Sequence, residues 1–497
     1  MSYCYVTNRT SNTVSQYSID ANGLLTSLGT VSAGTNPEDI AITTINYIQY
    51  AYVSNYNSSN VSQYSINSSG ILTSLGTVST GLNPIGIAIT TINSIQYAYV
   101  VFKTGVSQYS IGANGLLTSL GTVSAGTNPL GIAITTINSI QYAYVTNVSS
   151  NNVSQYSIGT NGLLTALGTV STGSNPREIA ITTINSIQYA YVTNLSSNTV
   201  SRYSIGTNGL LTALGTVSAG TNPDSIAITT INSIQYAYVT NLSNNVSQYS
   251  IGANGILTAL GTVSTGIVPS DIAITTINST QYAYVTNNTS NTVSRYSIGT
   301  NGILTPLGTV STGTGPNGIA ITTIPTIPPY PCFKEGSKIL TSQGYKLIQD
   351  LKKGDLVKTL NDYKAIELIG KRDIQHNACK ERIKDQLYVC STENYEVWED
   401  LVLTGCHSLL VDDFKDQERE KSIEVNGGIY VTENKYRLPA CVDERAMVYE
   451  IPGTYTIYHI ALENDDYYMN YGIYANGLLV ESCSKRYLKE LSNMTLI

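Results

Sequence analysis

The sequence predicts an all-β protein in two parts, a seven-bladed β-propeller followed by a second β domain. Three observations predict it. The string YAYVTN, or a close variant, begins at Tyr3, Tyr50, Tyr97, Tyr142, Tyr189, Tyr236 and Tyr282, with successive spacings of 47, 47, 45, 47, 47 and 46. Seven copies held in register are the signature of repeated structural units that pack on one another. Each copy contains four short runs rich in β-branched and aromatic residues. Composition then breaks near residue 330. Residues 1–328 hold five Lys/Arg and six Asp/Glu, a net charge of −1, whereas the remainder holds 21 and 27, a net charge of −6. A chain of 497 residues is in any case long enough for two or more domains.

In the fifth copy the four runs are Ile179–Thr183, Tyr189–Asn194, Val200–Ile205 and Leu210–Ser218. Turn residues punctuate them: Asn208-Gly209 inside the copy and a Gly-x-Asn-Pro at its end. Four antiparallel strands per copy and seven copies make a seven-bladed propeller. Closure is written in the ends. The chain starts at YCYVTN without a preceding IAITT run, and the last IAITT run, Ile319–Thr323, has no YAYVTN after it. Pairing of the last strand with the first completes one blade and leaves no long open edge. This part, residues 1–328, resembles the YVTN family of β-propeller repeats.

Near-identical copies leave few distinctive residues, and fold alone gives no function. The variable positions follow the proline of each turn: Glu38 and Asp39, Ile85 and Gly86, Leu130 and Gly131, Arg177 and Glu178, Asp224 and Ser225, Ser270 and Asp271, Asn317 and Gly318. They precede the IAITT strand, expected to be innermost, so they are expected to ring one mouth of the central channel. Glu38, Asp39, Arg177, Glu178, Asp224 and Asp271 are therefore candidate binding residues with an acidic bias, for a cation, a sugar or a protein loop. The alternative is a set of solvated loop residues free to vary. No histidine precedes His376, which disfavours a propeller hydrolase with a histidine base.

The charge pattern offers no basic field, so nucleic-acid binding is disfavoured. No run of 18 apolar residues suggests a transmembrane helix, and the start MSYCYVTN lacks the pattern of a secretory signal. The compartment stays open. Seven cysteines without CxxC spacing and three histidines indicate neither a zinc site nor a disulfide framework, so no metal or organic cofactor is expected. Asn8, Asn57, Asn147 and Asn194 stand in N-x-S/T sequons that follow from the abundance of those residues.

The junction reads YPCFKEGSKILTSQG, Tyr330 to Gly344, with Cys332 directly after Pro331. Later come LVLTGCHSLLV, Leu401 to Val411, and the segment Tyr458 to Ser484, ending Glu481-Ser482-Cys483-Ser484. Together these resemble the Hint domain of Hedgehog proteins and inteins over residues 332–484. Thr404 and His407 fit the family's Thr-x-x-His motif. The resemblance implies that the Cys332 thiol attacks the Pro331 carbonyl in an N-to-S acyl shift. It also implies that Thr404 and His407 contact the scissile amide and that His407 protonates the departing nitrogen. Cys483 matches the Hedgehog cysteine near the domain end; it is expected either close to Cys332 or as a buried core thiol. His459 stands where inteins commonly carry Asp, as a second proton-transfer group or as a surface residue. Cys406 is expected to point into the core, and the charged region Lys371 to Asn394 to carry a helical or loop insertion. Cys379, Cys390 and Cys441 receive no role.

Splicing is not expected, because Glu481 and Ser482 occupy the places of the terminal His-Asn pair and serine cannot cyclise. Release of residues 1–331 by an external nucleophile is the Hedgehog-like outcome. Only a short amphipathic tail, 485–497, follows Ser484, so sterol transfer is not supported, and water, a small thiol or an amine are the candidates. Pro331 fixes φ and crowds the acyl group, which slows attack. The sequence thus divides into 1–328 (propeller), 329–331 (junction), 332–484 (Hint-type β domain) and 485–497 (tail). The competing reading is an uncleaved structural or adhesive protein whose propeller binds a protein or glycan and whose Hint-type domain is a remnant.

Overall fold

A computed structural model describes the chain except residues 1, 46–47, 68, 94, 324–330, 381, 385, 416, 427 and 493. Residues 329–330 of the junction therefore lie outside the described residues. The chain divides into two compact units, 1–325 and 326–497.

The first unit is seven four-stranded antiparallel sheets. Six are built from four consecutive strands; the seventh joins Pro316–Thr323 to Ser2–Asn8, Thr13–Ile19 and Leu25–Ser32. Its register runs Ser2 opposite Thr323 and Tyr5 opposite Ala320, so the ring is closed by a strand from each end. The strands that carry IAITT touch their counterparts in the adjacent blades and form the inner ring. The YAYV strand is the second in each blade. It is buried on both faces, as in Ile140–Asn147, which is why it reads as a continuous apolar run rather than an alternation. The outermost strand of each blade is largely exposed, and each carries a bulge at a glycine with positive φ, such as Gly29 (φ 97°). Such bulges blunt an edge that carries almost no protective charge.

Tyrosines stitch blade to blade. Seven of them donate their hydroxyls to a glycine carbonyl of the next blade: Tyr5 to Gly70, Tyr52 to Gly115, Tyr99 to Gly162, Tyr144 to Gly209, Tyr191 to Gly255, Tyr238 to Gly302 and Tyr284 to Gly23, at 2.8–3.0 Å. The acceptor residue must be glycine on two counts. At Gly70, φ is 75° and a Cβ would stand 2.0 Å from the Tyr3 ring. The asparagine that ends each YVTN run is buried too, and Asn8, Asn147 and Asn194 donate to Ser15, Ser154 and Ser201 on the next strand, at 2.9 Å. These three sequons are therefore inside the fold, whereas Asn57 is exposed.

The second unit is a β-sheet assembly around its own core of Phe333, Ile339, Val357, Tyr388, Leu403, Leu438, Ile460 and Ile473. Its spine is the long antiparallel pair Tyr363–His376 and Gly453–Leu462. The region from Lys371 to Asn394 holds no helix among its described residues. It completes that strand to His376, crosses a loop, and re-enters the sheet at Leu387–Cys390. The helix lies at Glu418–Asn426 instead. The charges at Lys371, Arg372 and Asp373 belong to a strand with a partly exposed face, so they carried no helical signal.

Candidate functional site

Four segments of the second unit meet at Cys332. The short strand Phe333–Lys334 is sandwiched, with Phe333 opposite Leu403 on one side and Tyr458 on the other. That sandwich brings the neighbours of Thr404 and His459 to the first residues of the domain. Thr404 ends the strand Leu401–Thr404 and grips Cys332 twice. The Cys332 N–H donates to Thr404 Oγ1 at 2.8 Å, and the Thr404 N–H donates to the Cys332 carbonyl at 2.9 Å. A tight turn through Gly405 and Cys406 then delivers His407, whose N–H donates to the Thr404 carbonyl at 2.9 Å. Gly405 is required there because a Cβ would lie 2.6 Å from the Ile383 carbonyl oxygen. Cys483 arrives from the last hairpin, bridged to Ala461, with its N–H on the Ile460 carbonyl at 3.1 Å.

The three histidines divide by partners. His376 is a satisfied core residue: Nε2–H donates to the Tyr449 carbonyl at 2.5 Å, and Nδ1 accepts the Leu387 N–H at 3.2 Å. His407 and His459 are equally buried, yet their ring nitrogens make no hydrogen bond of normal geometry among the described residues. Both pack against Phe333, with ring centroids at 4.3 Å for His407 and 5.6 Å for His459, and the two imidazoles stand 5.2 Å apart. Burial pulls His407 down to about 3, opposed by the backbone of Glu481 and Cys332 that faces its ring. His459 is also lowered, by burial and then by the His407 charge. His459, buried with no hydrogen bond to its ring nitrogens among the described residues, sits at a cost in stability.

Cys332 is fully buried, in one core cluster with Cys483, Leu387, Ile457, Ala461, Leu488 and Met494. Burial raises its pKa, Cys483 adds to the rise, and Arg372 opposes it. Cys483 is raised likewise by burial. The carbonyl of Glu481 is held by a strand whose carboxylate is itself fixed by Arg437 at 2.8 Å, Thr432 at 3.0 Å and Asn470 at 2.6 Å.

The propeller holds a second candidate site. A cavity of about 290 Å³ is lined by Arg9, Glu38, Asp39, Arg177, Glu178, Asp224 and Asp271 among others. Arg9 pairs with Glu38 at 2.8 Å and Arg177 with Asp224 at 2.6 Å. Asp39 and Asp271 each accept a main-chain N–H from the following blade, Ile87 and Ile319, at 3.0 Å. Burial pushes Glu38 and Asp39 up to about 7 and Glu178 to about 8; mutual repulsion among these carboxylates adds to the rise.

A seven-bladed β-propeller lactonase family model matches residues 1–89, 97–225 and 189–322. The chain belongs to this lactonase propeller family. A Hint domain model matches residues 331–486. Solved propellers share the fold of this lactonase-type unit. A protein from Lactobacillus plantarum aligns at a TM-score of 0.56 with 21% identity, over 65% of this chain and 99% of its own. The periplasmic gluconolactonase of Pseudomonas aeruginosa aligns at 0.54 with 17% identity, over 65% and 100%. A functionally unknown protein from Desulfotomaculum acetoxidans aligns at 0.54 with 19% identity, over 64% and 98%. No curated protein matches.

In this lactonase propeller joined to a Hint domain, the sequence-predicted residues gather in two places. Cys332, Thr404, His407, His459 and Cys483 converge on one site. Pro331 precedes it, half-buried. Glu38, Asp39, Arg177, Glu178, Asp224 and Asp271 line one cavity. Three expectations are corrected. His459 is not a surface residue: both faces of its strand are covered at that point. Cys406 does not point into the core; the turn leaves it half-buried, 3.5 Å from Thr404 Oγ1. The mouth residues are not freely solvated: Glu38 is 5% exposed and the others are at most half-exposed. Sequence reading missed Phe333, Arg437, Leu488 and Met494. Only Phe333 carried a signal, as the neighbour of Cys332 in a strand.

Proposed function

We propose that the Hint domain cuts the chain before Cys332 and so releases the propeller as a binding module. The observation that carries this reading is the hydrogen bond from the Cys332 N–H, the nitrogen of the Pro331–Cys332 amide, to Thr404 Oγ1 at 2.8 Å. The residue of the resembling motif thus lies on the bond to be broken. The step is an acyl shift. The thiol sulfur bonds to the Pro331 carbonyl carbon, the C–N bond breaks, and the thiol proton ends on the nitrogen, leaving a thioester and a neutral amine. No net charge is created, which suits a site whose thiol and imidazoles are all held neutral by burial. His407 carries the proton towards the nitrogen; His459, ring to ring with it, is the second stage of that transfer. A small thiol, an amine or water then resolves the thioester. The released ring keeps its mouth, where five of the propeller's six acidic residues gather, and it binds a polar protein or glycan ligand there. Lactonase kinship alone carries no hydrolysis to this mouth, which has carboxylates and arginines but no histidine.

The sealed environment of the Cys332 thiol favours a second reading, in which the chain stays whole and the Hint domain is a remnant. Incubation of the purified chain with dithiothreitol, followed by intact-mass measurement, separates the two. Fragments 1–331 and 332–497 that vanish in Cys332→Ala support cleavage; a whole chain under every thiol condition supports the remnant.

A further inference from the structure

The thiols near the scissile amide differ in burial. Cys332 and Cys483 are buried in one core cluster with Leu387, Ile457 and Ala461. Cys406 is half-buried, on the turn between Thr404 and His407. Main-chain bonds pin that turn on several sides. The His407 N–H closes it on the Thr404 carbonyl at 2.9 Å, and the Gly405 N–H donates to the Gln386 carbonyl at 2.8 Å. The Gly405 carbonyl accepts the Cys441 N–H at 2.8 Å, and the His407 carbonyl accepts the Ala440 N–H at 3.0 Å. Cys406 is thus carried on a fixed backbone. Its sulfur lies 3.5 Å from Thr404 Oγ1, and that same oxygen accepts the Cys332 N–H at 2.8 Å. One hydroxyl therefore touches both the nitrogen of the Pro331–Cys332 amide and a further thiol. The two contacts hold the Cys406 sulfur within about 6 Å of that nitrogen, and the Pro331 carbonyl carbon is one bond of about 1.3 Å beyond it. Rotation of a single side-chain bond, χ1, sets how near the sulfur comes. Pro331, which supplies the acyl group, is half-buried like Cys406.

We propose that Cys406 is a second nucleophile, which takes the acyl group from Cys332 and presents it to the thiol or amine that arrives from solution. The inference rests on the autoprocessing reading and adds the route by which the thioester leaves a buried sulfur. The Cys406 sulfur bonds to the Pro331 carbonyl carbon, and the bond from that carbon to the Cys332 sulfur breaks. The Cys406 proton ends on the Cys332 sulfur, so a thioester and a thiol give another thioester and another thiol with no net charge. Thr404 Oγ1, in contact with the Cys406 sulfur, is placed to pass that proton on. The product is branched: residues 1–331 hang from Cys406, and Cys332 holds a free amino group and a free thiol. A nucleophile fixed beside the amide has the advantage of proximity over one drawn from solution to a fully buried sulfur.

The position of the acyl group in the full chain tests it. The wild-type chain, kept reduced with a phosphine rather than a thiol, is quenched in acid, where the Cys332 amine is protonated and does not recapture the acyl group. Alkylation with N-ethylmaleimide and peptide mass spectrometry then show which cysteine carries the peptide ending at Pro331. The expected result is that peptide joined to the one containing Cys406, with Cys332 alkylated. Release by dithiothreitol is timed in parallel. It is expected to slow by about tenfold or more in Cys406→Ala and in Cys406→Ser alike, with Trp398 emission unchanged as the sign of an intact fold. An acyl group found on Cys332 alone overturns the relay, whatever the variants do. So does release at the wild-type rate in Cys406→Ala. Release restored in Cys406→Ser overturns it too, because serine keeps a hydrogen-bonding group beside Thr404 but not the thiol. In each of those cases Cys332-dependent fragments leave the cleavage reading standing. A wild-type chain that yields neither thioester nor fragments overturns both.

Discussion

The two units of this chain are built almost wholly of strands, yet they treat buried polar groups in opposite ways. In the propeller the main buried polar device is repeated around the ring, and its partner comes with it: Tyr5 and its six counterparts each find a glycine carbonyl. In the Hint domain the buried polar groups around Cys332 occur once: the His407 ring meets only the backbone of Glu481 and Cys332, and the His459 ring nitrogens make no hydrogen bond among the described residues. Repetition distributes stability so evenly that little is left over for chemistry. A single uncompensated cluster concentrates cost at one place, which is where chemistry is expected.

The contrast is broken most severely at the amide. Cys332→Ala is expected to abolish release outright. His407→Ala and Thr404→Val should each slow thiol-induced release by about 10²-fold or more, read as fragment appearance on a gel. Equal rates in these variants would reduce the cluster to ordinary core.

Acid and alkali separate the units next, with opposite signs. His407 has a native pKa lowered to about 3 and His459 is lowered as well, so their neutral burial favours the native state above the ordinary histidine range. That stability is lost as pH falls from about 6.5 towards 3, an effect on the order of a few kcal/mol for the Hint domain. The mouth carboxylates run the other way. Glu38 and Asp39 titrate near 7 and Glu178 near 8 in the native ring, so their contribution is full below the ordinary carboxylate range and fades as pH rises through 7 to 8. The only tryptophan, Trp398, lies in the Hint domain, so its fluorescence reports that unit while circular dichroism is dominated by the larger propeller. Melting both signals across pH should show the Trp398 transition falling on the acid side and the propeller transition falling on the alkaline side. Parallel shifts would contradict the account.

Smaller changes sharpen the comparison within the ring. Tyr144→Phe strands the Gly209 carbonyl and should cost about 1–3 kcal/mol, measured by denaturant midpoint. The residue before each turn proline is left-handed: Asn36, Asn83, Asn128, Asn175 and Asn222, but Val268 in the sixth copy, with φ at 58°. A β-branched residue is strained there, so Val268→Asn should stabilise the propeller by about 1 kcal/mol in the same measurement.

The ring was legible because the same residues return seven times and each return has one physical cause. The Tyr-rich run is apolar since both its faces are covered, and the Asn-Gly turn is fixed by its backbone. The mouth was legible for the converse reason: where copies are nearly identical, the positions that differ stand out. What stayed hidden was burial. Glu38 and Asp39 looked like solvated turn residues because neighbouring blades, distant in sequence, close over them. In the Hint domain, Cys332, Thr404 and His407 came through a family resemblance. The burial of His459 did not, because a strand covered on both faces shows no alternation. Leu488 and Met494 carried no signal at all: they share a core cluster with Cys332, and their packing depends on Gly370, more than a hundred residues earlier, having no side chain.

The central claim is that the Pro331–Cys332 amide is exchanged for a thioester. Intact mass measured after incubation with dithiothreitol tests it most directly. The account predicts a fragment 332–497 with a free amino-terminal cysteine and a fragment 1–331 bearing the thiol adduct, both absent from Cys332→Ala. A chain of unchanged mass, or cleavage that persists without the Cys332 sulfur, would contradict it.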